Sequence, residues 1–191
     1  DEVFSIFVAE KPISFILSKL AFEPPLPYLI LHFWIKLFGI SEIAVRSFSL
    51  FAFVLATIVV IIWAEKLFEK HWLSWFTPVF FFVNPMLLYY AFEVRSYGWY
   101  IFFTTLSLYA YHQKKWKLLI VATTLGFYTH TYMIVVLFVQ FIHWVFWEKG
   151  TKHYRSFRSI IADPVIRSLF ITGMFISPWV IKMIHEIPRL K

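Results

Sequence analysis

Residues 45–64 read VRSFSLFAFVLATIVVIIWA, and residues 65–70, EKLFEK, close the run with alternating charge. Beyond Arg46 this stretch carries no ionisable side chain, and it reaches the roughly 20 residues that a helix needs to cross the hydrocarbon of a bilayer. Lipid offers no partner for backbone N–H and C=O groups, so such a run has to be helical. The rest of the chain has the same character: hydrophobic residues make up 60%, charged residues 15%, and mean hydropathy is +0.71. Soluble domains are nearer half apolar and a quarter charged. The expected fold class is all-α, a polytopic transmembrane helical bundle of about six spans over a single domain, residues 1–191.

Working outward, a second apolar run extends from Leu73 to Tyr90 and stops at Glu93-Val94-Arg95-Ser96. A third runs from Tyr97 to His112-Gln113-Lys114-Lys115, and the last from Leu169 to about Met183 with Pro178 expected to kink it. Lys117 to Trp147 as one straight helix would be roughly 45 Å long, too long for a bilayer. A break at Thr129-His130-Thr131 resolves this and returns the chain to the side it came from. Six tryptophans, Trp63, Trp72, Trp99, Trp116, Trp147 and Trp179, lie near the ends of these runs, where an amphipathic ring suits the membrane interface. In the first 42 residues two interfacial helices are expected. Pro12 opens one with Ile13, Ile16, Leu17 and Leu20 on a stripe, and Pro24-Pro25 precedes Leu26 to Phe38 with Tyr28, His32 and Lys36 as a polar stripe.

The formal charge is +7, but the basic residues sit between apolar runs, which fits a lipid surface and argues against nucleic acid. Lys66/Lys70, Lys114/Lys115/Lys117 and Lys149/Lys152/Arg155/Arg158 all fall on one side, cytoplasmic by the positive-inside rule. Residues 1–42, the Glu93 segment and His130 then face outward. The chain has no Cys, which excludes disulfides and thiolate metal sites. Beginning at Asp1, it reads as a fragment of a longer protein, multi-pass in a prokaryotic plasma membrane.

Ionisable groups at membrane depth are candidates for function. Asp1-Glu2 can be a solvated loop pair or supply the carboxylate that removes an acceptor proton. Arg95 can snorkel to head groups or hold a lipid phosphate in its planar fork. Glu93 can cap the helix beginning near Ser96. His130 can be an interhelical hydrogen bonder, or a metal ligand with Glu23, and a divalent cation is the one cofactor these residues suggest. Tyr89, Tyr90, Tyr97 and Tyr100 form an aromatic belt or line a sugar site.

In order, these residues carry a resemblance. Asp1-Glu2, Pro24-Pro25-Leu26-Pro27-Tyr28, Leu37-Phe38-Gly39-Ile40-Ser41-Glu42 with Arg46 and Ser49, Asn84-Pro85 with Tyr89-Tyr90, Glu93-Val94-Arg95-Ser96-Tyr97 and Gly126-Phe127-Tyr128-Thr129-His130 together resemble the glycosyltransferase family 39 and related C-fold polytopic glycosyltransferases, including protein O-mannosyltransferase-like enzymes. The sequence departs from that pattern at Glu23, where many relatives have His, and at Thr131, where an aromatic is common. The resemblance implies inverting transfer of mannose or a similar hexose or pentose from a polyprenyl- or dolichyl-phosphate donor to a protein or lipid acceptor on the extracytoplasmic face. It implies catalytic roles for Asp1 as general base, Glu2, and Arg95 opposite the departing phosphate. Glu93, Tyr97, His130, Glu23 and Tyr28 would contact substrate. A non-catalytic polyprenyl-phosphate binding or transport protein would need only Arg95 and the aromatic belt.

Overall fold

The computed structural model describes residues 2–20, 23–68, 71–148 and 157–186. Asp1, Lys70 and the basic stretch Lys149/Lys152/Arg155 lie outside the described residues. Among those described, every regular element is helical: α1 Glu2–Ala9, α2 Ile13–Lys19, α3 Leu26–Phe38, α4 Glu42–Leu67, α5 His71–Val83, α6 Pro85–Phe92, α7 Tyr97–His112, α8 Trp116–Thr129, α9 Met133–His143 continued by a π turn Trp144–Glu148, α10 Phe157–Ile161 and α11 Pro164–Glu186.

By length and composition α4 and α11 are long and apolar enough to cross a membrane, and the broken pair Trp72–Phe80 and Pro85–Phe92, bent by 77°, would make a third. The 73–90 run is thus two helices. Asn84 starts the second one: its Oδ1 accepts the N–H groups of Met86 and Leu87 at 3.0 and 3.2 Å, and Pro85 occupies the first turn where no donor is missed. Ser41 caps α4 by accepting from Ala44 N–H at 3.3 Å, and Asp163 caps α11 by accepting from Val165 N–H at 2.9 Å. Gly39, at φ 82, ends α3 in a conformation that side-chain-bearing residues avoid.

The helix α7 packs against α4, α6, α8 and α9. Its approach to α4 depends on Gly98, because a Cβ there would lie 2.8 Å from the Ser49 carbonyl oxygen. Phe48, Ala52, Trp99 and Phe103 fill that interface together with Ala9 and Leu31. A second cluster, Val8, Ile16, Phe127, Met133, Ile176 and Trp179, joins α1 and α2 to α8, α9 and α11. Deeper in the bundle, Gln140 Nε2 donates to Ser107 Oγ at 2.9 Å, which pairs with Thr123 Oγ1 at 2.7 Å, so α7, α8 and α9 share one buried polar contact.

The proline of α11 does not end that helix, which runs on through Pro178. A proline cannot donate to the carbonyl four residues back. Ser177 Oγ donates to that carbonyl, Met174 O, at 2.8 Å, and the Tyr128 phenol of α8 donates to the neighbouring Phe175 O at 3.0 Å.

The first 42 residues hold three helices, with α1 in addition to the two expected. The polar stripe of α3 does not face outward as a unit. His32 is 7% exposed, and its Nδ1 lies 2.6 Å from the Ala9 carbonyl oxygen, so it ties α3 to α1. Likewise Ile16 and Leu20 of the Pro12 stripe are buried while Ile13 and Leu17 are exposed.

Candidate functional site

The turn Glu93-Val94-Arg95-Ser96 joins α6 to α7, and three neighbours fix it. Its backbone closes tightly, Arg95 N–H donating to Glu93 O at 2.8 Å. Ser49 Oγ of α4 donates to that same Glu93 carbonyl at 2.5 Å. Glu2 of α1 reaches across from the other end of the sequence, its Oε1 accepting the Val94 N–H at 2.8 Å. The Val94 side chain, 1% exposed, is buried in the Phe48/Trp99 cluster. Glu93 Oε1 and Arg95 Nη1 stand 3.6 Å apart, and the Arg95 guanidinium lies over the Tyr97 ring at 5.4 Å.

Arg95 opens into a cavity of about 220 Å³ between α1, the start of α3, the turn and the α8–α9 connection. Ser5, Glu23, Tyr28, Tyr97 and His130 line it with Arg95. The Tyr28 phenol donates to Glu23 Oε2. His130 stacks on Tyr97 at 5.5 Å and touches Tyr100 and Tyr132 at 5.3 and 4.7 Å. Its Nδ1 accepts the Tyr132 N–H at 3.2 Å, which in the neutral ring leaves the proton on Nε2. Burial, and then the Arg95 charge, hold the His130 pKa below its ordinary value. Burial raises the Glu23 pKa, with Arg95 opposing. The cavity therefore sets the Arg95 guanidinium beside an imidazole whose Nε2–H can donate and a carboxyl whose pKa burial raises, a combination that suits an anion.

A second, more open cavity of about 670 Å³ adjoins, lined by Glu2, Arg46, Tyr89 and Glu93 with Pro85, Leu88 and Phe92. Arg46 also pairs with Glu42 at 3.1 Å. Glu93 faces this side while Arg95 faces the other, so the contacting pair stands between the two spaces. The Glu93 side chain is 12% exposed and its Oε2 is buried with no hydrogen-bond partner among the described residues.

Of the residues singled out from sequence, Glu23, Tyr28, Arg95, Tyr97 and His130 share the first cavity, and Glu2 and Glu93 line the second. Asp1 lies outside the described residues. Glu23 and His130 share a cavity, yet no group of three or more His, Cys, Asp or Glu able to hold a metal exists among the described residues. Sequence reasoning missed Ser5, which has no local signal, and the place of Arg46, whose spacing from Glu42 reads as an ordinary surface pair. No family model, curated protein or solved structure matches this chain.

Proposed function

We propose that the chain is part of a multi-pass membrane glycosyltransferase that moves a sugar from a polyprenyl- or dolichyl-phosphate donor to a protein or lipid acceptor. Six spans follow if α4, the α5/α6 pair, α7, α8, α9 with its π turn, and α11 each cross the bilayer. At about 1.5 Å per residue α7 is roughly 24 Å long, short enough to require local thinning of the membrane. The observation that carries the reading is the shared wall of the two cavities: a guanidinium on one side and a carboxylate on the other, each backed by aromatic rings. Arg95 is suited to take the charge that develops on a departing lipid phosphate. The acceptor hydroxyl would lose its proton to Asp1 as its oxygen bonds the sugar C1 and the C1–O bond to phosphate breaks. The Tyr28–Glu23 pair and His130 Nε2–H supply further polar contacts.

The test is transfer of radiolabelled sugar from polyprenyl phosphate by membranes holding the full-length gene product. Arg95→Ala is expected to lower turnover about a hundredfold or more, the scale of losing one transition-state charge contact. Undiminished transfer by both Asp1→Asn and Arg95→Ala would refute the assignment. Retained donor binding without any turnover would instead favour a polyprenyl-phosphate carrier, for which Arg95 and the aromatic wall suffice.

A further inference from the structure

The far end of α7 carries a different cavity, about 470 Å³, between α4, α7 and α9. Its walls are apolar at Trp63, Leu108 and Val139, and its polar lining includes His112, Lys114 and His143, with no carboxylate among the described residues that line it. Both imidazoles are held in place. His112 Nδ1 accepts from Trp63 Nε1 at 3.2 Å, and His143 Nδ1 pairs with the Tyr111 hydroxyl at 3.0 Å while its ring stacks on Trp147 at 6.3 Å. Gln140 also lines the cavity. It is 1% exposed, and its Oε1 has no hydrogen-bond partner among the described residues.

Lys114 is the unusual feature. It follows the end of α7 in a double closure, Lys115 N–H donating to Ala110 O at 2.8 Å and Lys114 N–H to Tyr111 O at 3.1 Å. That motif places its penultimate residue in the left-handed region and ordinarily uses glycine. Here a lysine sits there at φ 54. The backbone is strained where a glycine would relax it, and the residue bearing the strain lines the cavity, as is common at functional sites. Two more cations, Lys66 and Lys115, stand over the Tyr109 ring of α7, outside the cavity lining, at 5.7 and 5.1 Å.

We propose that this cavity binds the phosphate of an anionic membrane lipid, its chains against Trp63, Leu108 and Val139 and its phosphate at Lys114 and the two imidazoles. Charge complementarity selects the anion, and the apolar wall selects a lipid over a free ion. The site rests on α7–α9 being membrane helices but not on sugar transfer, and binding is measured without it.

The experiment uses the full-length protein in phosphatidylcholine nanodiscs into which brominated phosphatidylglycerol is introduced stepwise. Occupancy is read as the tryptophan quenching that Trp63→Phe abolishes. Saturable quenching is expected for the parent protein, with Lys114→Gly and Lys114→Met each needing about tenfold more lipid, the loss of one charge-assisted contact. Lys114→Gly should also melt above the parent, which separates lost binding from lost fold. Equal saturation by parent and Lys114→Gly, or equal quenching by brominated phosphatidylcholine, would overturn the proposal. Full displacement by millimolar inorganic phosphate would overturn the lipid as ligand and assign the site to a free anion.

Discussion

Replacing Gly98 by alanine tests the packing that carries the α6–α7 turn. The new Cβ would meet the Ser49 backbone, its oxygen at 2.8 Å, Cα at 3.2 Å and carbonyl carbon at 3.4 Å. None of these atoms can rotate away, so α4 and α7 must separate by a few tenths of an ångström. Overpacking of this kind costs about 1–3 kcal/mol, against which the better helix propensity of alanine returns about 0.5–1 kcal/mol. The net expectation is a loss of roughly 0–2.5 kcal/mol, most plainly seen against a control. Gly173 in α11 has nothing within 4 Å of its Cβ position, so Gly173→Ala is expected to be neutral or to gain about 0.5–1 kcal/mol. The assay is reversible unfolding of the purified protein in mild detergent by added denaturing detergent, followed by circular dichroism. Gly98→Ala should be the less stable of the two. Gly98→Ala as stable as Gly173→Ala would refute the claim that the α4–α7 contact is closed at the backbone.

Three further outcomes follow from the geometry. Because the folded His130 has a pKa below its ordinary 6.5, the fold should be most stable above that value and lose this contribution as pH falls through the folded pKa; His130→Gln should flatten a pH series of melting temperatures. Glu2→Leu leaves the buried Val94 N–H unpaired at a cost of about 1–3 kcal/mol, read as faster amide exchange across residues 93–96, whereas Glu2→Gln should restore most of the protection. Tyr128→Phe removes the donor to Phe175 O beside Pro178 and should cost about 1 kcal/mol of unfolding free energy, with no such loss if that carbonyl finds another partner.

Much of the helical layout is legible in the sequence, for reasons that are local. The 45–64 run falls inside α4, and a length argument calls for the break that the structure places at His130. The 77° bend at Asn84-Pro85 was readable as a helix start signal, but the continuous apolar run around it masks the cap. The helix α1 is only 8 residues long, too short to show a period, and owes its place to Glu2 and to His32 on Ala9. The same reach explains what stayed hidden in the site. Glu93 and Arg95 are two residues apart, and the contacts that hold the turn between them come from Ser49 and Glu2, 44 and 92 residues away in sequence.

That partition has a thermodynamic consequence. The wall between the two spaces is a pair of side chains 3.6 Å apart, so an anion that draws Arg95 toward itself leaves Glu93 less neutralised, and its second oxygen already lacks a hydrogen-bond partner among the described residues. Filling one space therefore alters the field in the other. By linkage the effect is mutual: whatever factor the first occupant applies to the affinity of the second, the second returns. Two ligands of opposite charge would reinforce one another, two of like charge would compete without touching, and Glu93→Gln would remove most of that cross-talk while leaving both cavities open.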